Sequence, residues 1–554
     1  VATWREQVEI CDPWAFYDYK KAFSNKSGAS PSWLSPSWIP EDDQRRLLAY
    51  HLLDDLCKNR GRNWMDPEIE DDKRQDHREY GDPGMVVAAV QSSVVGDSQT
   101  IMVEGMTEEG DAGGDRTTQF ELLNEWMAKE RFLIKLMTNE TKCSKLGDMV
   151  YVLGIDEVTN RPRVRCWDPS FYFPVLDDWA NEEDFPKTVY IAWEYEKKVN
   201  GKDRKFLRRM TWQIVDTADP RDYPWNTAPV NRTCMFEELE WDIENITDTG
   251  LVDLSRGAAV EIRPLTDMEI DFLPVVHIPN FPAEDEHWGT SSLALAMQLF
   301  DDLSSTDTDL QAASATTGSP PLGVEDASIQ PNSDGEIETW GPGQVFGGKV
   351  SVVDTSRSLD ALLKLKEALQ ERVEVNLRVP KTLIGRVDPS KVESGIILTL
   401  SFQPHSNMIR QMRLVRQDKY DLLLKFVCRF YVQLGGLAVV HPCHLKFGSY
   451  LPADRSEVGE IVREGITAHS MSIETAVALM VEAGYPIDDA KLEATLIVQQ
   501  NYEAASKALD ASGDVNFSRE LLGLPPVDLE DLGLEATNPE EPPTNVPPGL
   551  PLPQ

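Results

Sequence analysis

The chain has 554 residues, 41% of them apolar and 8% aromatic, so wholesale disorder is excluded and more than one packed core is expected. Its 54 basic and 93 acidic residues give a formal net charge of −39, which argues against gripping nucleic acid by phosphate neutralisation. No apolar run approaches the roughly 18 residues of a membrane span. No basic-then-apolar leader opens the sequence, and the seven scattered cysteines read as free thiols of a reducing cytoplasm.

In chain order, residues 1–40 hold aromatic knots between Pro and Ser (CDPWAFYDY, SPSWLSPSWIP) and read as an extended arm. An acidic start at 41–43 precedes a helix with a Leu47, Tyr50, Leu53, Leu56 stripe. MVVAAV (85–90) is strand-sized, and 104–118 is a Gly-rich polar loop. One helix is expected over about Gln119 to Asn139, followed by antiparallel strands near 148–155, 163–168, 188–196, 208–216, 233–242 and 273–279. In Gly289-Thr-Ser-Ser292, Thr290 or Ser291 is expected to cap a helix with Leu293, Met297, Phe300 and Leu303 on one face. Between Gly289 and Thr316 stand four acids, Asp301, Asp302, Asp307 and Asp309, and no Lys or Arg.

A Pro/Gly-rich excursion (318–348) leads to a second helix over Ser358 to Val379, a polar loop (380–395) and a long helix to about Leu434. Pro404 cannot donate to the carbonyl of Leu400, so a kink is expected in that helix. Residues 454–511 read as two or three helices punctuated by Gly465, Gly484 and Pro486. From Leu524 the chain is acidic and proline-dense, the composition of a flexible tail.

No motif carries enzyme chemistry. Gly343 to Val350 fits part of a phosphate loop, but Val350 stands where a Ser/Thr hydroxyl should hold magnesium and a β-type run follows, so a Gly-rich hairpin is expected. His441-Pro-Cys443-His444 offers soft ligands with no second cluster and reads as a turn, not a metal site. The pairs Asp177/Asp178 and Asp301/Asp302 lack a converging third group, and no hydrolase triad assembles. No cofactor is implied.

Helix, excursion, helix, loop and long helix, in that order from Leu273 to Tyr431, resemble the stem, clip, second stem helix, tunnel loop and spine of tailed-bacteriophage portal proteins. KLGDMVYVLGID with the DPSFYFPV turn looks like the family's wing, and the helices after 451 like its crown. The resemblance covers roughly 40–510 and rests on the order of elements. It implies an α+β fold: arm 1–40, α/β wing 41–285, stem helix 286–316, clip 317–356, stem helix 357–379, tunnel loop 380–395, long kinked spine and return to the wing 396–450, helical crown 451–523, tail 524–554.

By the same resemblance the chain is a non-enzymatic virion subunit, assembled in the host cytoplasm into a ring of twelve at one capsid vertex. Double-stranded DNA passes through it during packaging and ejection, and the major capsid protein, terminase large subunit and head–tail adaptor are its partners. The four stem acids would face the channel and repel phosphates. Lys381, Arg386 and Lys391 in the tunnel loop would touch DNA at the constriction. Another capsid or head–tail structural protein, or a packaging ATPase, remains the alternative.

Overall fold

A computed structural model describes residues 41–60, 80–105, 114–156, 158–175, 185–214, 225, 233–243, 256–281, 287–318, 322–325, 349–352, 356–385, 395–450, 455–468, 470–482, 485, 487, 490–512 and 515–522. Its separate helices and antiparallel sheets make the fold α+β. The chain divides into two compact units, Val1–Tyr450 and Leu451–Gln554.

The first unit opens with α1 (Glu41–Cys57) and α2 (Asp82–Val95). Leu47, Tyr50 and Leu53 are buried, as the stripe requires. MVVAAV lies inside α2 rather than in a strand: Pro83 starts the helix without needing an N–H partner, and Val86, Val87, Ala89 and Val90 are buried.

The single helix expected over 119–139 is two, α3 (Asp115–Lys129) and α4 (Phe132–Leu146). Arg131 takes a left-handed φ of 50° between them, so the helix cannot continue. The preceding Glu130 is buried, and its carboxylate accepts from Lys135 (2.7 Å) and the Val164 N–H (3.3 Å) and pairs with Arg163 (3.3 Å).

Two sheets follow. In the three-stranded one, β2 (Asp148–Asp156) lies between β3 (Arg161–Trp167) and β9 (Val275–Pro279). The five-stranded one is a meander of β4 (Tyr172–Val175), β5 (Thr188–Val199), β6 (Lys202–Ile214), β7 (Cys234–Asp242) and β8 (Val260–Asp267). Six of these eight strands fall in the ranges expected; β4 and β8 lie outside them. In the DPSFYFPV turn, the Asp168 carboxylate accepts from the Ser170 N–H (3.1 Å) and hydroxyl (2.7 Å).

Next come α5 (Met297–Gly318), the short antiparallel pair β10 (Leu322–Glu325) and β11 (Lys349–Val352), and α6 (Ser356–Leu377). The 39-residue α7 (Gly395–Gln433) runs on through Pro404. Residues 422–430 of α7 are buried throughout, and Phe426 stacks on Phe272 with ring centroids 4.1 Å apart. Each such buried aromatic contributes on the order of 2 kcal/mol.

The HPCH segment is not the expected turn. Cys443 and His444 begin β12 (Cys443–Phe447), which pairs with β1 (Gln99–Val103), Val103 opposite Cys443. The second unit carries α8 (Arg455–Thr467), α9 (Ile473–Glu482), α10 (Ala490–Ser512) and α11 (Val515–Leu521). Gly465 does not punctuate these helices: it lies within α8, where an added Cβ would come 3.0 Å from Met471 Cε.

Candidate functional site

The region of interest is the α5–α6 pair with its entry and exit. Entry is fixed by a crossing of two backbones. Gly147, at φ 100°, ends α4 with no room for a side chain, since a Cβ there would sit 2.6 Å from the Gly289 carbonyl oxygen. GTSS is bound along the α4 terminus: the Ser292 N–H donates to Ser144 O (3.0 Å) and the Ser291 hydroxyl to Lys145 O (2.7 Å). These bonds satisfy carbonyls that the end of α4 leaves open. Ser291 Oγ also accepts from the Leu293 N–H (3.1 Å), but the helical turn that leads into α5 begins after Leu293 and has no side-chain cap, so neither Thr290 nor Ser291 is the expected N-cap. Beyond Ser291, Leu293, Phe300 and Leu303 are buried on the expected face.

Asp148, fully buried, ties this crossing to the rest of the unit. Its carboxylate accepts from Tyr50 (2.5 Å) and the Gly289 N–H (2.8 Å), and lies 2.7 Å from His277 Nε2. Burial first, and then the Asp148 charge, push the Tyr50 hydroxyl well above its ordinary pKa, so it stays a donor. His287 stacks on His277 at 4.4 Å, and burial followed by that neighbour pushes His287 well below its ordinary value.

A second buried knot centres on Arg416 of α7. Its guanidinium donates to Asn280 O (2.6 Å), Asn280 Oδ1 (2.7 Å) and Glu140 Oε2 (3.2 Å). Tyr420 donates to Glu140 Oε1 (2.9 Å), and its oxygen lies 3.1 Å from the Tyr151 hydroxyl. Burial opposes the Arg416 charge, but Cys143, Glu140 and Tyr420 outweigh it and hold the pKa above the usual arginine value. Sequence reasoning missed Arg416, Glu140 and Asp148. The available signal was the position of Arg416, four residues from both Met412 and Tyr420, inside an apolar stripe.

The four acids of α5 fall on two sides. At about 100° per residue, Asp301, Asp302 and Asp309 share the side opposite Phe300 and Leu303, and all three are exposed. Asp307 is buried on the packed side, 2.5 Å from Lys366 of α6. It thus pairs the two helices.

α6 buries little: Val373 and Leu377 are covered, whereas Leu363, Leu365 and Val375 are exposed, Val375 to 75%. After α6, Lys381 is exposed on a turn whose Leu383 and Ile384 pack on the core. Arg386, Lys391 and the Asp177/Asp178 pair lie outside the described residues.

The other motifs settle as follows. Lys349 opens strand β11 and no helix follows it directly, so the loop-to-helix geometry of a phosphate loop is missing. Gln119 clasps His441 from both sides, accepting from its N–H (2.7 Å) and donating to its carbonyl (2.7 Å). His444 sits between two carboxylates, Nδ1 at 2.7 Å from Asp421 and Nε2 at 2.9 Å from Glu104. Among the described residues, no group of three or more His, Cys, Asp or Glu could hold a metal ion, and no helix is long and apolar enough to cross a membrane.

No protein-family model and no curated protein sequence matches the chain. Among solved structures, it is similar to a chain from the virion of a native gene transfer agent particle at 12% identity and a TM-score of 0.38, over 89% of this chain and 96% of that one. A chain from the neck of an empty particle of that kind, computed with C6 symmetry, gives 12% identity and a TM-score of 0.39 over the same shares. Likeness at this level does not establish a common fold.

Proposed function

We propose that the chain is a phage-type portal subunit: a non-enzymatic structural protein that closes into a ring, with twelve copies, at one capsid vertex. The observation that carries this is the α5–α6 pair. It is anchored at its entry by the Gly147–Gly289 crossing yet leaves Leu363, Leu365 and Val375 exposed. A helix pair held firmly at one end, with these three apolar side chains of α6 left uncovered, is completed by neighbours in a closed cyclic arrangement.

In this reading Asp301, Asp302 and Asp309 face the duct and repel DNA phosphates, so the duplex slides without adhering. Lys381, Arg386 and Lys391 supply rings of positive charge at the narrowest point, and Asp307 is reassigned from the duct to the helix pair. Terminase, the head–tail adaptor and the major capsid protein dock on the outer surfaces of the ring.

Electron microscopy and mass measurement of the purified chain test the reading. A closed ring with a central pore is expected. Monomer or dimer alone, across conditions that allow assembly, overturns it. Replacing Lys381, Arg386 and Lys391 with Gln should reduce DNA retention in assembled particles while rings still form, and wild-type retention should weaken with added salt.

A further inference from the structure

Where α6 ends, the chain makes a left-handed turn at Arg378, φ 54°. The residues that follow are held by short-range bonds: Val379 N–H to Glu374 O (3.1 Å), Leu383 N–H to Pro380 O (2.9 Å) and Gly385 N–H to Thr382 O (3.2 Å). These alone fix the turn's internal shape but not its place. Its place is set by the packing of Val379, Leu383 and Ile384 on the core and by a polar contact from α7. His405, fully buried one residue after Pro404, lies with Nδ1 3.0 Å from the Arg378 carbonyl and Nε2 3.0 Å from Ser93 Oγ of α2.

A carbonyl only accepts, so Nδ1 carries the proton. Burial holds the ring neutral by lowering its pKa, which leaves Nε2 an acceptor; the single proton of the Ser93 hydroxyl is then shared between Nε2 (3.0 Å) and the Ala89 carbonyl (2.9 Å). The α2 end of this bridge is itself fixed, because Arg413 donates to the carbonyls of Ser93 and Val94, both at 3.0 Å. One imidazole thus joins three elements: α2, the exit of α6 and α7.

We infer that His405 is a positioning residue that clamps the α6 exit turn to α2 and so sets where Lys381 is presented. The consequence for DNA rests on the ring reading above; the clamp itself does not.

The two nitrogens can be separated by substitution. An Asn amide nitrogen falls near the place of Nδ1 and keeps the bond to the Arg378 carbonyl, whereas a Gln amide nitrogen falls near Nε2 and loses it. Hydrogen exchange of the assembled full-length chain is followed in peptides covering 379–385. His405→Ala and His405→Gln should speed exchange there by about ten-fold, while His405→Asn stays within about two-fold of wild type.

Equal exchange in the Asn and Gln variants overturns the assignment, and this contrast suffices if the Ala variant does not fold. An equal acceleration in the 188–214 hairpin also overturns it, since His405 would then support the fold as a whole. Lys381→Gln, scored for DNA retention in particles, keeps the two ideas apart. If the exchange contrast holds and retention is unchanged, the channel role of Lys381 falls and the clamp stands.

Discussion

The body of the first unit buries charges, whereas its α5–α6 pair leaves apolar side chains in solvent. Around Arg416, Glu140 and Asp148, charges are fully buried and each has partners from other elements. Along α6, leucines and a valine stand exposed, and an ion pair, Lys366 to Asp307, joins it to α5. Buried charge that is fully bonded penalises every alternative arrangement of the same segments, because each would strand a charge. Exposed apolar surface specifies nothing until something covers it. The buried charges of the body are therefore bonded within one chain, whereas the exposed apolar side chains of α6 are what the ring proposed above would cover.

Breaking the knot should produce the largest effect. Arg416→Ala leaves Glu140 buried without its cation, and a loss of about 3–5 kcal/mol is expected from urea unfolding. Pairing Arg416→Met with Glu140→Gln should recover part of this. A loss below about 1 kcal/mol for the single variant would mean that the knot does not hold the body together.

The entry crossing comes next. Gly147→Ala places a methyl 2.6 Å from the Gly289 carbonyl oxygen and forces an L-residue to φ 100°. Overpacking of this kind costs about 1–3 kcal/mol, and a lowered thermal midpoint is the check. Ser144→Ala nearby should change it much less, because its backbone carbonyl, not its side chain, receives Ser292.

On the helix pair the expectation reverses. Leu365→Asp and Val375→Asp should shift the stability of the single chain by no more than about 0.5 kcal/mol yet prevent the ring from closing. Sedimentation separates the two effects. Rings that form normally with both substitutions would show that these side chains are simply solvent-facing.

The same contrast explains what the sequence made legible. Six strands were found because alternation and short apolar runs bounded by turns are local signals, and α5 because its apolar face repeats with helical period. The break at Arg131 was missed: it depends on Glu130 being received by β3, about thirty residues away. Pairing of β1 with β12 joins residues 99–103 to 443–447, and nothing short-range announces it. That separation is why Cys443 and His444 looked like a turn. Arg416 was missed and Asp307 assigned to the channel for one reason: a charge in sequence reads as solvated, and only the fold reveals the partner that lets it be buried. Lys381 was placed in a loop correctly, but the residue fixing that loop's start, His405, carries no local mark.

The smallest effect expected is a dependence on pH at the β1–β12 pair. Partial burial works against the His444 charge, but its bonds to Glu104 and Asp421 outweigh this and raise its pKa above 6.5. Because the folded value is the higher one, the stabilisation is fully present below about 6.5 and fades as pH rises through the raised value. Asp421 carries the same sign at a more acid pH: burial, outweighing His444, raises it above 3.8, so its contribution too is lost on going up. His444 is 36% exposed, and solvent screening limits its effect to below about 1 kcal/mol. Exchange of the β1–β12 amides should therefore quicken modestly from pH 6 to pH 8 after correction for intrinsic rates, and His444→Gln should flatten that dependence. A wild-type profile as flat as the variant's would show that the two carboxylates hold His444 without depending on its charge.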